Sequence, residues 1–289
     1  MSWLSDDAVG RLRDIAEWPD FSGTRYTIRR EIGRGGMGVV YEAEDGALER
    51  PVAIKVLDNA VTTPRAAERM RREAQIVAGL EHPAIVPVHD VGELAGGRVF
   101  YAMKLVRGVT LDAFARDHAL PELVRVFLRI CEAVAFAHAA GVVHRDLKPQ
   151  NVMIGEFGSV LVMDWGLATS GDGEAIGGTP GFMPPDRAVD ATADVYALGV
   201  MLRSLGAKLP RRLDAIANKA AAHEASDRYA TAQQLADDVS RYVDGVSVSA
   251  YRENVAEKAL LWLERNRALV AVLIAYIVMR VIVFLWIRR

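Results

Sequence analysis

The segment Ile32-Gly33-Arg34-Gly35-Gly36-Met37-Gly38-Val39-Val40 constrains the fold most, because the chain leaves its glycines as a strand. Val39-Val40-Tyr41-Glu42-Ala43 is β-branched and aromatic and carries no helix-start signal. In dinucleotide-binding folds the same glycine spacing opens a helix, and an acidic residue follows about 20 positions on. Here Val52-Ala53-Ile54-Lys55 occupies that place. Strands are expected over 26–30, 39–43 and 52–57, then a helix over 64–80 with Pro64 early and Gly79 at its end. Residues 82–91 and 99–105 complete a small antiparallel sheet. After Gly108 the period becomes helical, with a long apolar helix at 121–140 and further helices at 192–205, 211–223 and 231–243. The expected class is α+β, a mainly β part followed by a mainly α part, with no internal repeat. Trp3, Leu4, Ala8, Leu12, Ile15 and Ala16 have helical spacing after a cap at Ser5 or Asp6, so residues 1–20 read as an amphipathic helix packing on the first part.

The 289 residues carry 35 Lys and Arg against 37 Asp and Glu, without a basic block or basic-aromatic interleaving, which excludes nucleic acid as the partner. The one cysteine, Cys131, forms no internal disulfide and lies in an apolar-periodic stretch, so it reads as core in a reducing cytosol. The start of the chain shows no basic region followed by an apolar run, and no secretory signal is expected. Residues 268–287, ALVAVLIAYIVMRVIVFLWI, are apolar apart from Arg280 and long enough at about 1.5 Å per residue to cross a hydrocarbon core of roughly 30 Å. They read as a transmembrane helix, with Trp262 and Trp286 near its ends and Arg265 and Arg267 as basic flanks. Arg280 is costly inside such a span unless it snorkels or pairs. Little chain follows the helix, so an anchor without an outer sensor domain is expected.

The string His144-Arg145-Asp146-Leu147-Lys148-Pro149-Gln150-Asn151 sets a carboxylate, an ammonium and an amide at the spacing that phosphoryl transfer uses. Asp146 suits acceptance of a hydroxyl proton, Lys148 offsets charge on a γ-phosphate, and Asn151 can hold a metal ion. Glycines at 33, 35 and 38 let backbone N–H groups approach phosphate oxygens. Lys55, on an apolar strand, needs a partner, for which Glu73 on the next helix is suited. Asp164, after the apolar strand 160–163 and before Gly166, is placed to coordinate Mg²⁺ between phosphates.

Taken in order across about 26–243, these residues resemble a protein kinase of the bacterial Ser/Thr (Hanks) type. The resemblance implies a bilobal fold, with a small β-rich N-lobe at 21–106, a helical C-lobe at 107–245, a juxtamembrane helix or linker at 246–267 and the transmembrane helix at 268–287. It implies ATP and Mg²⁺, with Mn²⁺ as an alternative. Ile32, Gly33, Gly35 and Gly38 would cover the nucleotide; Val40, Ala53 and Met153 would enclose adenine. Met103 would be the gatekeeper, and the backbone of Lys104 and Val106 would hydrogen-bond the base. Lys55 pairs with Glu73, Asp146 is the catalytic base, Lys148 meets the γ-phosphate, and Asn151 and Asp164 bind the metal. Lys148 together with Gly178-Thr179-Pro180-Gly181 favours Ser or Thr acceptors. Val77, Val88, His144 and Trp165 would stack as a hydrophobic spine, and Asp194 would brace the catalytic loop.

The sequence departs from that pattern at four places. Trp165 stands where Phe is usual, and Pro184-Pro185-Asp186 stands for Ala-Pro-Glu, which shortens the reach of an ion pair from Asp186 to Arg228. After Leu205, only 206–210 precede the next helix, so the usual helix and substrate-docking surface are expected to be missing. The usual phosphorylation position holds Ala175, and Glu174 beside it is expected to supply the charge that Arg145 would take from a phosphate. The resulting expectation is a single-pass kinase in the cytoplasmic membrane, its catalytic domain in the cytosol and its acceptor a protein. A pseudokinase acting as a nucleotide-binding membrane scaffold is the alternative, and the shortened lobe is what favours it. A small-molecule kinase is disfavoured by Lys148 and the Gly-Thr-Pro segment. Homo-oligomerisation is open but unsupported by a small-residue stripe.

Overall fold

The computed structural model describes residues 18–35, 38–58, 63–166, 169–170, 178–206 and 208–288. The expected helix at 1–20 and the Glu174–Ala175 site lie, but for 18–20, outside them. Contacts divide the chain into two compact units, 1–114 with 136–178 and 115–135 with 179–289.

In the first unit five antiparallel strands form a sheet of order β1-β2-β3-β5-β4, comprising β1 (Tyr26–Gly35), β2 (Gly38–Asp45), β3 (Arg50–Leu57), β4 (Val88–Glu93) and β5 (Val99–Lys104). Its two faces separate by the period of two. Val52, Ile54 and Val56 join Val39, Tyr41, Phe100 and Ala102 in a buried cluster, while Ala53, Lys55, Val40, Tyr101 and Met103 line a cleft on the other face. The fourth strand starts at Val88 and not near His82, because Pro83 and Pro87 offer no N–H to a ladder.

Helix α1 (Pro64–Ala78) begins at Thr63, whose hydroxyl accepts the Ala66 N–H, and ends at Gly79. Its buried positions, Ala67, Met70, Glu73, Ala74 and Val77, recur at three and four, so one carboxylate sits inside an apolar stripe. The strand β6 (Gly108–Thr110) pairs with β8 (Val152–Gly155), which pairs with β9 (Val160–Val162); β7 (Val142–Val143) pairs with β10 (Thr169–Ser170).

The second unit is helical. Helix α2 (Leu111–Asp117) leads into it, and α3 (Leu120–Ala139) contributes fully buried Phe127, Ile130, Cys131 and Val134. Helices α4 (Ala191–Ser204), α5 (Arg211–Ala220) and α6 (Ala232–Val243) pack on one another, and in the sequence only 205–210 lie between α4 and α5. The shorter Asp186 still reaches Arg228: the Arg228 guanidinium, without solvent exposure, donates to its Oδ2 at 2.8 Å and to the carbonyls of Ala222 and His223. Beyond α6 the chain forms α7 (Val255–Arg265) and α8 (Arg267–Ile287), where the anchor was expected.

Candidate active site

The site is built on Lys55, which β3 turns into the cleft opposite Tyr101 of β5 and beside Val40 of β2. Its ammonium lies 2.8 Å from Glu73 Oε1 and 2.8 Å from Asp164 Oδ1. Burial disfavours the charge, but Tyr101 and the Glu73 and Asp164 carboxylates outweigh it, and the Lys55 pKa stands well above the ordinary lysine value. Partial loss of solvent raises the pKa of Asp164, whose carboxylate is still half-exposed, yet Lys55 draws it below the usual range. The Tyr101 hydroxyl donates to the same Glu73 Oε1 at 2.8 Å, so Glu73 is held from two sides in a buried position.

The second cluster is the loop after β7. Lys148 Nζ lies 2.9 Å from Asp146 Oδ2, and Asn151 Nδ2 donates to the Asp146 carbonyl at 2.8 Å and to its Oδ2 at 3.1 Å. His144 ties the two acids together. Its Nδ1 accepts the Asp146 N–H at 3.2 Å, which leaves Nε2 as the protonated nitrogen facing the Met163 carbonyl at 3.0 Å, next to Asp164. Its ring, fully buried, meets that of Trp165 at 4.5 Å between centroids, so the larger aromatic is accommodated with its indole N–H on the Val162 carbonyl. Val77 is buried too, whereas Val88 is half-buried. Arg145 and Asp164 adopt φ of 66° and 57°, left-handed conformations that cost non-glycine residues about 1–3 kcal/mol each and mark a site held by its surroundings.

Fifteen of the expected residues, Ile32, Gly33, Gly35, Gly38, Val40, Ala53, Lys55, Met103, Lys104, Val106, Asp146, Lys148, Asn151, Met153 and Asp164, line one cavity of about 1370 Å³; Glu73 stands behind Lys55. The glycines differ in what demands them. A Cβ on Gly38 would overlap the Val56 carbonyl oxygen, whereas one on Gly33, which also lines the cavity, would meet nothing within 4 Å. Two residues escaped the sequence reading. Tyr101 becomes visible only through the register of β3 with β5; Arg69, one turn before Glu73 on α1, donates Nε–H to the Gly166 carbonyl at 3.1 Å.

Such a cleft can hold a polyphosphate and a divalent cation against a carboxylate base. The donor set fits a hard metal ion: the Asp164 carboxylate is half-exposed, and Asn151 spends its amide hydrogens on Asp146, leaving Oδ1 as its ligand atom. The protein kinase domain family matches residues 26–260. PknD, a serine/threonine-protein kinase of Protochlamydia amoebophila, is 31% identical over 77% of this chain and 30% of its own length. PknE of Mycobacterium tuberculosis H37Rv, likewise a serine/threonine-protein kinase, is 39% identical over 61% of this chain and 34% of its own. The chain thus spans about a third of the length of these relatives. A crystal structure of the M. tuberculosis PknI kinase domain superposes with a TM-score of 0.62 at 28% identity, covering 77% of this chain and 96% of that one. With the sheet, the cleft and the paired acids in family order, the chain belongs to the protein kinase family, on its bacterial serine/threonine (Hanks-type) branch.

Proposed function

We propose that the protein is an ATP-dependent kinase of Ser or Thr hydroxyls on proteins, held at a membrane by α8. The observation that carries the reading is the Lys55 ammonium shared between Glu73 and Asp164 at 2.8 Å each, on the same cleft as Asp146, Lys148 and Asn151. Lys55 supports the α- and β-phosphates, with Glu73 and Tyr101 fixing its direction. Gly33 and Gly35 give the backbone close approach to phosphate oxygens. Val40, Ala53 and Met153 enclose adenine beside Met103. The Lys104 N–H is already given to the Pro87 carbonyl at 3.0 Å, so Lys104 offers the base its carbonyl and Val106 its N–H.

Asp146 takes the proton of the attacking hydroxyl as oxygen bonds to the γ-phosphorus and the bond to the β–γ bridging oxygen breaks. Lys148, which neutralises Asp146 in this structure, shifts its charge to the γ-phosphoryl oxygens and frees the carboxylate to accept that proton. Asn151 and Asp164 would hold Mg²⁺, which neutralises the phosphates when bound. The charged groups of the chemistry, Lys55, Glu73, Asp146, Lys148 and Asp164, are all present and paired with one another, which favours catalysis over a scaffold role.

The membrane reading rests on α8, whose stretch Arg267–Trp286 has a mean hydropathy of 2.8 and no buried residues. Arg280 lies with its guanidinium 3.4 Å from the Tyr276 hydroxyl one turn away, which gives the charge a polar neighbour on its own helix. The test is transfer of labelled γ-phosphate from ATP to a generic protein acceptor by full-length protein, beside Asp146→Asn. Label on Ser or Thr, reduced by about 10³-fold or more in the variant, is expected; equal labelling by both would sink the reading.

A further inference from the structure

Among the described side chains of α7, four apolar ones face outward and Glu257 faces inward. Val255, Ala259, Trp262 and Leu263 fall at i, i+4, i+7 and i+8, one face of a helix, and all are exposed, Val255 by 86%, Trp262 by 56% and Leu263 by 43%. Glu257, on the opposite side, accepts the Tyr251 hydroxyl at 3.1 Å and lies 3.8 Å from Arg211 of α5. In a water-soluble unit an apolar row of this kind is ordinarily turned inward against the core.

The orientation is fixed by the segment before it. Buried Asp238 of α6 accepts the N–H and hydroxyl of Ser249 at 2.6 and 2.7 Å, the Ala250 N–H at 3.0 Å and the Tyr229 hydroxyl at 2.8 Å. Arg212 of α5 pairs with nearly buried Glu253 at 3.2 Å and donates to the Val246 carbonyl. Asn254 then starts α7 with a capping box, exchanging bonds of 2.9 Å with Glu257. Residues 246–257 are thereby fastened to α5 and α6, and α7 cannot roll freely about its axis.

We infer that α7 is an interfacial helix whose Val255–Ala259–Trp262–Leu263 face lies in the headgroup layer of the membrane. This rests on the reading of α8 as the span. Asn266 alone separates the two helices, so a membrane around α8 begins where α7 ends. Trp262 has the amphipathic ring that favours that depth, and exposed Lys258 and Arg267 supply cations to anionic headgroups. The second unit is then oriented at the bilayer by two helices and the strap at 246–257, instead of hanging on a loose tether.

The test uses full-length protein carrying Ala259→Cys, Leu263→Cys, Val272→Cys or Gln233→Cys, each labelled with an environment-sensitive fluorophore; buried Cys131 stays unreacted under native conditions. The proteins are reconstituted in phosphatidylcholine and phosphatidylglycerol vesicles brominated either near the headgroup or deep in the chains. Probes at 259 and 263 are expected to shift blue and lose fluorescence to the shallow bromines, the probe at 272 to the deep ones, and the probe at 233, on the exposed side of α6, to neither. Quenching at 272 without quenching at 259 and 263 overturns the inference and leaves the span. Absence of quenching at 272 overturns the span reading itself. Probes at 259 and 263 that shift blue but resist all lipid bromines, with concentration-dependent energy transfer between copies, assign the face to a second copy of the chain and overturn the lipid assignment.

Discussion

At the residue scale, the site depends on side chains that fix other side chains. Tyr101→Phe removes one of two donors from Glu73 Oε1, and a loss of about 1 kcal/mol in both stability and transition-state binding is expected, read as a several-fold fall in kcat/KM with wild-type acceptor specificity. Gly33→Ala and Gly38→Ala separate two uses of glycine. The first is expected to raise KM for ATP with an unchanged Tm; the second, which drives a Cβ into the Val56 carbonyl, should cost about 1–3 kcal/mol of stability in chemical denaturation. Lys55, Asp146, Lys148, Asn151 and Asp164 were legible in the sequence because their chemistry sits at fixed spacing within short motifs. Tyr101 was not, since a tyrosine on an apolar strand reads as core until pairing sets it opposite Lys55.

At the scale of elements, two carboxylates hold the helical unit together. Arg228 overcomes the effect of burial on Asp186, as do Ser249, Tyr229 and Ala250 on Asp238, and both pKa values lie below the ordinary 3.8. Their stabilisation is therefore complete above the unfolded-state value and is lost as pH falls through the lower folded one. Asp238→Asn is expected to cost about 1.5–3 kcal/mol at neutral pH, with the gap to wild type closing below about pH 3.8 in denaturant titrations. The helices were legible to within a few residues at their ends, for Pro64, Gly79 and the 3.6-residue period mark them independently of tertiary context. The two- and three-residue strands β6, β7 and β10 were not, because so short a run has no period to read. The strap at 246–250 was hidden for another reason: Ser249 and Ala250 are bound through backbone N–H groups, which no side-chain pattern announces.

At the scale of the whole molecule, the sequence named a cleft, a reduced helical lobe and an apolar tail, and packing decided how the tail is joined. Removal of residues 267–289 is expected to move the protein from the membrane to the soluble fraction on cell fractionation, with a Tm within a few degrees of the full chain, because no residue of Arg267–Trp286 is buried. Cys131 carries a further consequence. It is the single thiol of the chain, has no solvent exposure in α3, and burial pushes its pKa well up, so it reacts only when the helical unit opens. The rate of modification by a thiol reagent, divided by that of a free cysteine, thus counts the open population directly, each tenfold suppression corresponding to about 1.4 kcal/mol. The protein carries its own gauge of local opening, readable at working concentration, in membranes and in the presence of nucleotide, where optical melting is least informative.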